Sequence, residues 1–223
     1  YHLNNVNQSI KDIGISDVYV DNEKRIFLLS SQKNGGFAAA NNQGIKFVER
    51  LYPDIEYYWL LNNDTIIENN TINKLLNSDY INNEKIGIIG TKLLFLDNPN
   101  KIQALGGKYN PFRACCSHIG AYKNDSEINL LKKTIKVDYV VGASMLVKKN
   151  FVRTVGYMEE SYFLYFEELD WILRGYKYGY IFKIDYNVRV MHKEGGSTIN
   201  TTKMISEVAD ICQLRNRIVF TRK

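Results

Sequence analysis

Carboxylates and one imidazole, each set at the end of an apolar run, are the residues of this sequence best placed to do chemistry. Glu167, Glu168 and Asp170 follow the aromatic stretch Tyr162-Phe163-Leu164-Tyr165-Phe166 at the start of a helical pattern. Acids at a helix start are favoured by the helix dipole, which accounts for them without function. Three carboxylates crowded against aromatic rings also repel one another and lose solvent, so at least one should hold its proton more tightly. A carboxylate tuned in this way is suited to act as a general base. Asp64 closes Leu60-Leu61-Asn62-Asn63-Asp64-Thr65, directly after an apolar strand pattern. Such a residue serves as a turn-former or as an oxygen ligand for a hard cation. His192 ends Val190-Met191-His192 and precedes Gly195-Gly196-Ser197, where backbone can approach a ligand closely. A structural role and a metal-ligand role are both open to it. His2 and His118 have no such setting.

These residues need elements to bring them together. Asp17 to Asp21 reads as a short strand delivering an acid at its end, and Arg25 to Ser31 as a strand buried on both faces, with Ile26-Phe27-Leu28-Leu29 uninterrupted. Ala38 to Arg50 has helical spacing and stops before Pro53. Tyr57 to Leu61 is the next strand, Thr71 to Asn77 a helix and Ile86 to Ile89 a buried strand. From Lys92 to Val137 the pattern loosens into hairpins and surface loops. A strand over Val137 to Val147, a helix over Phe166 to Tyr178, a strand over Ile181 to Val190 and an amphipathic helix over Glu207 to Phe220 follow. Alternating strands and helices predict a single α/β domain with a mixed, mostly parallel sheet flanked by helices. Ligands of such sheets bind beyond the carboxyl ends of the strands, where Asp21 and Asp64 would converge.

The bulk properties narrow the function classes. With 223 residues, 45% hydrophobic and 24% charged, the chain has the composition of a soluble globular domain. No apolar run reaches the roughly 18 residues of a membrane span. The net charge of +5 is dispersed and forms no long basic stripe, so nucleic acid is not the expected partner. Phosphates, or an anionic membrane surface near Arg215, Arg217, Arg222 and Lys223, suit that excess better. Cys115, Cys116 and Cys212 form neither a disulfide framework nor a zinc spacing, which points to unpaired thiols in a reducing compartment.

Taken in order, the motifs resemble those of an inverting family 2 glycosyltransferase of the GT-A fold, in the branch that includes bacterial rhamnosyltransferases. The resemblance runs from about Asp17 to the C-terminus. Val20-Asp21-Asn22 is similar to the family's Val-Asp-Asn, and Asn34-Gly35-Gly36-Phe37-Ala38-Ala39-Ala40-Asn41-Asn42-Gln43-Gly44 to its Asn-x-Gly-Phe segment beside the donor. Leu60 to Thr65 matches the branch's form of the metal motif. Val141-Gly142-Ala143-Ser144 resembles the floor under the donor sugar, and Phe163 to Asp170 the segment carrying the base. Val190-Met191-His192 resembles the C-terminal histidine motif, and Arg215-Asn216-Arg217 the Arg-Asn of the following helix.

The resemblance implies a set of expectations. The donor would be a nucleotide-diphosphate sugar, deoxythymidine-diphosphate rhamnose or a uridine-diphosphate hexose. The acceptor would be a glycan or lipid-linked hydroxyl in cell-surface polysaccharide synthesis, on the cytoplasmic side, at the inner face of the membrane. Asp64 and His192 would hold Mn²⁺ or Mg²⁺, with Asn62 a weaker ligand. Glu168 would be the base, with Glu167 and Asp170 positioning acceptor hydroxyls or orienting neighbouring basic groups. Asp21, Asn34, Gly36, Asn41, Asn63, Gly142 and Ala143 would bind the donor. Two departures stand out: the family's opening strand is not recognisable, which suggests either an incomplete N-terminus or an abbreviated nucleotide pocket, and Glu168 stands where the family usually has Asp. A nucleotidyltransferase would normally carry a basic glycine-rich phosphate loop, and Asn34-Gly35-Gly36 has no Lys or Arg suitably placed. A degenerate glycosyltransferase-like domain kept for carbohydrate binding or assembly is the remaining alternative.

Overall fold

The computed structural model describes residues 11–21, 26–128, 135–193 and 207–222. The strands are β1 (Ile15–Asp21), β2 (Ile26–Ser31), β3 (Tyr57–Leu61), β4 (Thr65–Ile67), β5 (Ile86–Phe95), β6 (Asn98–Ala104), β7 (Gly107–Asn110), β8 (Cys115–His118), β9 (Ser144–Lys148) and β10 (Ile181–His192). The helices are α1 (Gly36–Leu51), α2 (Thr71–Leu76), α3 (Lys149–Val155), α4 (Glu167–Lys177) and α5 (Glu207–Thr221).

The central sheet has the order β3-β9-β5-β10-β4, with β6 added to the far half of β5. It is mixed, as expected, but it is not mostly parallel: β5 and β10 alone run parallel, and every other pair is antiparallel. The physical reason lies in β9. It enters between β3 and β5 from the opposite end, after the chain has made its β6–β8 excursion. β5 is buried along nearly its whole length, as a central strand covered on both faces must be. Its buried run continues past Ile89 through Thr91 and Lys92 to Leu94, and β6 pairs with that extension to bury Ile102 and Ala104. The stretch read as hairpins and surface loops does form the β5–β6 and β7–β8 hairpins, and it also extends the sheet and joins a packed cluster with Leu94, Leu105 and Ile128.

Two further expectations are corrected. β1 and β2 form a separate antiparallel hairpin, not members of the main sheet. One face packs on α1, where Phe27 meets Phe47 with ring centroids 5.4 Å apart. The other face leaves Tyr19, Ile26 and Leu28 exposed, so β2 is not buried on both faces. The strand expected over Val137 to Val147 begins only at Ser144. Residues before it bond instead to the turn at Gly107, through Asp138 N to Gly107 O (2.8 Å) and Gly107 N to Tyr139 O (2.9 Å). The expected absence of an opening strand concerns residues 1–10, which lie outside the described residues, as do Asn22, Gly195, Gly196 and Ser197.

The largest core cluster joins the sheet to α1, α3 and α4 through Ile45, Met145, Val147, Phe151, Leu169 and Trp171. Trp171 is fully buried and donates from Nε1 to Gly156 O at 2.7 Å. That bond satisfies the indole N–H inside the core. Its effect is to fix α4, and so the two glutamates at its start, against the sheet.

Candidate active site

A cleft of about 540 Å³ opens at the end of the sheet where β3 and β10 finish. One part of its wall is built by Asn62, Asp64, Gln103 and His192, another by Gly142, Ala143, Glu167 and Glu168. The hairpin β7–β8 faces them with Cys116 and His118, and α5 contributes Gln213 and Arg217.

The first part is positioned by strand pairing. His192 ends β10 opposite Thr65 of β4, and Lys193 N donates to Asp64 O at 3.0 Å. Thr65 Oγ1 donates to Asn62 O at 2.7 Å, closing the turn that carries Asp64. His192 Nδ1 lies 2.8 Å from Gln103 Oε1. An amide oxygen only accepts, so Nδ1 carries a proton and donates it to Gln103. Nε2 sits 3.2 Å from Asp64 Oδ1 and 3.4 Å from Asn62 Nδ2. Asp64 Oδ1 is buried and has no hydrogen bond among the described residues. A carboxylate oxygen and an imidazole nitrogen this close are ligand types that a divalent cation takes together. The donor set, one carboxylate oxygen and one imidazole nitrogen, suits Mn²⁺ and accommodates Mg²⁺. No group of three or more His, Cys, Asp or Glu ligands is gathered among the described residues, so water or ligand oxygens would fill the remaining positions.

The second part depends on an unusual loop. Phe163, Tyr165 and Phe166 all have positive φ, at 66°, 71° and 78°. Bulky residues rarely adopt this conformation, and each instance costs about 1–3 kcal/mol unless the surroundings enforce it. The enforcement is visible. Asn216, fully buried on α5, donates from Nδ2 to the carbonyls of Tyr162, Leu164 and Tyr165 at 2.8, 2.8 and 3.0 Å. Phe37 N donates to Phe163 O at 2.9 Å from the opposite side. This loop feeds directly into α4, so its shape aims Glu167 and Glu168.

Both glutamates hold their protons more tightly than an ordinary carboxylate. Burial pushes Glu167 up to about 8, with the neighbouring Glu168 charge adding to it. Its Oε1 is buried without a hydrogen bond among the described residues. Burial also raises Glu168, opposed by backbone N–H groups of its own residue and of Gly142. A negative charge on Glu168 raises Glu167 further, so the two carboxyls do not titrate independently. Glu168 is half-buried, lines the cleft and receives the Gly142 N–H, so it carries the charge better than Glu167, which is 1% exposed. Across from it Tyr139 bonds to Cys116, and desolvation holds that thiol near 11, as a neutral wall group.

Of the residues singled out from sequence, Asp64, His192, Glu167, Glu168, Gly142 and Ala143 come together in the cleft. Asp170, Asp21, Asn34, Gly36, Asn41 and Asn63 do not line it. Asp170 is buried, accepts from Tyr162 Oη at 3.2 Å and is ion-paired with Arg174 Nε at 2.8 Å. Arg174 in turn donates to the Val155 and Tyr157 carbonyls, so of the two roles expected for Asp170 the orientation of a basic group fits its contacts. Asp21 ends the hairpin strand β1, outside the main sheet, and does not converge with Asp64 across neighbouring strand ends.

The Asn34–Asn42 segment packs rather than lines. Asn34 Oδ1 accepts from Gly36 N at 3.1 Å, Asn41 Nδ2 donates to Phe37 O at 2.9 Å, and Asn42 is bonded to Met158 and Glu160. A Cβ on Gly36 would sit 2.0 Å from Phe163 O. Its glycine is demanded by contact with the loop leading to Glu168. Of this segment, Phe37 reaches the cleft.

Gln103, Tyr139 and Cys116 carry no signal for the site in the sequence, whereas Arg217, which the sequence suits to phosphates, does line the cleft. Gln103 and Cys116 fall where strand periodicity is weak. His118, read as having no functional setting, also lines the cleft.

No protein-family model matches the chain. A protein named dTDP-rhamnosyl transferase RfbF, from Shigella flexneri, is 24% identical over 213 residues, covering 94% of this chain and 67% of the relative. The mixed α/β sheet flanked by helices is consistent with a glycosyltransferase fold, and the distant likeness supports a glycosyltransferase.

Proposed function

We propose that the cleft transfers a sugar, with inversion, from a nucleotide-diphosphate sugar to an acceptor hydroxyl of a glycan or lipid-linked saccharide. Rhamnose on deoxythymidine diphosphate is the preferred donor, in keeping with the name of the distant relative, and uridine-diphosphate hexoses come next. The observation that carries this reading is the pairing, in one cleft, of the Asp64–His192 contact with a proton-affine Glu167–Glu168 pair.

In this reading Glu168 takes the proton of the acceptor hydroxyl. The acceptor oxygen then forms its bond to the anomeric carbon as the bond to the diphosphate oxygen breaks, and the electron pair leaves with the nucleoside diphosphate. Glu167, held neutral by burial, keeps a second negative charge away from the base. Gly142 N–H orients the Glu168 carboxylate, and Gly142 and Ala143 form the floor under the donor sugar. Asp64 and His192 would hold Mn²⁺ or Mg²⁺, which when bound would supply positive charge beside the leaving diphosphate. Arg217, which lines the cleft, adds a fixed positive charge.

A second reading, a carbohydrate-binding domain without turnover, is favoured by one observation. Asp21, Asn34 and Asn41, expected on the donor, lie outside the cleft lining. Donor turnover separates the two: release of deoxythymidine or uridine diphosphate with Mn²⁺ supports the enzyme, whereas saturable binding of sugars with no release of any nucleotide across a donor panel would overturn it. No helix among the described residues is long and apolar enough to cross a membrane. Peripheral contact with an anionic membrane is proposed for α5, where Ile211, Leu214 and Ile218 are exposed near Arg222.

A further inference from the structure

We infer that α5 is a clamp that sets the shape of the cleft, and that Asn216 is a positioning residue for Glu168. The inference deepens the glycosyl-transfer reading of the same site and rests on it for its kinetic consequences, but not for its structural ones.

Three residues of α5 each reach a wall of the cleft. Asn216 spends its amide on the carbonyls of Tyr162, Leu164 and Tyr165, the loop that leads into Glu168. Arg217, the next residue, donates from Nε to Ala114 O at 2.8 Å and from Nη2 to Arg113 O at 2.9 Å, on the turn of the β7–β8 hairpin opposite. One turn further on, the Phe220 ring lies 5.3 Å from that of Phe166 and 5.1 Å from that of Tyr109 on β7, bridging the two walls.

Both gripped segments hold non-glycine residues in left-handed backbone: Ala114 with φ 47° in the hairpin turn, and Phe163, Tyr165 and Phe166 in the loop. Strained backbone of this kind persists where neighbours over-determine it. An amide NH₂ offers two hydrogens to three carbonyls, so one is shared, and the Asn216 carbonyl accepts from Arg215 Nη1 at 3.1 Å. Arg215 also donates to Ser161 O at 2.7 Å, extending the grip to the start of the loop. A buried group with this many directed bonds fixes a geometry, because losing its donors leaves carbonyls desolvated and unpaired. The geometry fixed is the approach of Glu168 to the acceptor, and positioning errors of about 1 Å near reacting atoms cost on the order of 10² in rate.

Asn216→Asp keeps the shape and removes both N–H donors, and Arg217→Met releases the opposite wall while leaving Asn216 intact. Turnover of deoxythymidine-diphosphate rhamnose with Mn²⁺ is measured together with amide hydrogen exchange by mass spectrometry. Asn216→Asp should lower kcat by about 10- to 100-fold, with donor KM changed by less than about threefold, because the Asp64–His192 end is untouched. Its acid limb in the pH–kcat profile should move to lower pH, since a loosened loop admits water to Glu168 and relieves the burial that raises it. Exchange should quicken at residues 163–166 in this variant and at 112–115 in Arg217→Met. A wild-type protein inert toward the donor, with the exchange changes present, removes the glycosyl-transfer reading and keeps the clamp. Unchanged exchange at 163–166, or a kcat loss that only tracks the folded fraction with the acid limb unmoved, overturns the clamp.

Discussion

His192 Nε2 faces Asp64 Oδ1 at 3.2 Å, and Gln103 Oε1, 2.8 Å from Nδ1, orients the ring from its other side. A divalent cation held by these two side chains is the ligand proposed for the contact. Mn²⁺ should raise the melting temperature of the protein by mass action, and should do so further with a nucleoside diphosphate present. Asp64→Asn and His192→Ala should each abolish the Mn²⁺ shift, and Gln103→Leu should weaken it by about 10- to 100-fold in affinity through loss of imidazole orientation. A full Mn²⁺ shift in Asp64→Asn would overturn this placement of the metal.

Glu168→Gln should lower kcat by about 10²–10⁴ with little change in donor affinity. A base must be unprotonated to work, and burial raises the Glu168 pKa. Wild-type activity should accordingly climb with pH across a limb lying above the ordinary carboxylate range, then level off. Glu168→Asp shortens the side chain by one methylene and should retain part of the rate. Equal rates in wild type and Glu168→Gln across the pH range would assign proton transfer to another group.

The site was legible in the sequence wherever a chemical residue ended an apolar run. Asp64 after Tyr57–Leu61 and His192 after the Val190-Met191 end of β10 are fixed by strand geometry, and strand periodicity shows in composition. Glu167 and Glu168 were legible for the same reason, at the junction of aromatic loop and helix. Gln103 was not, because its partner is 89 positions away and β6 pairs only with the far end of β5. The direction of β9 was equally hidden: alternating strands and helices do not reveal that a strand inserts from the opposite end. Asn34, Gly36 and Asn41 were read as ligand-facing when their partners are the loop and backbone beside them. A glycine required for close approach looks the same in sequence whether the neighbour is a phosphate or a carbonyl.

Gly36 should tolerate no side chain. It has φ of 83°, and an added Cβ would lie 2.0 Å from Phe163 O, a backbone atom that Phe37 N already holds. Gly36→Ala should destabilise the fold by about 2–4 kcal/mol and should also depress turnover, since relief requires the loop before Glu168 to shift. Urea unfolding together with activity on the folded fraction checks both effects. A normal unfolding midpoint would mean that the loop yields freely.

Asp170 should behave as a structural residue in spite of its place beside the base. Its carboxylate is committed to Arg174 and Tyr162 inside the protein. Removing one partner of a buried ion pair leaves the other uncompensated, at a cost of about 3–5 kcal/mol. Asp170→Ala should therefore unfold much more easily, and its surviving folded fraction should keep a pH–kcat limb like that of wild type. A folded, stable Asp170→Ala protein with a displaced limb would return Asp170 to the chemistry.

Glu167 gives the last prediction, in which pH sets the size of the effect. Its carboxyl holds a proton up to about 8 in the folded protein, whereas an unfolded glutamate loses it near 4.5. Between those values the folded state binds more protons than the unfolded one, so its stability falls as pH rises through the window. The contribution is whole below pH 4.5 and gone above about 8, where a charge sits buried with Oε1 unpaired. Glu167→Gln is neutral throughout and escapes that loss. Its melting temperature should lie close to that of wild type at pH 5 and several degrees above it at pH 9. A difference that stays flat from pH 5 to 9 would show that the Glu167 carboxyl titrates normally, and its role as a neutral neighbour of Glu168 would then have no basis.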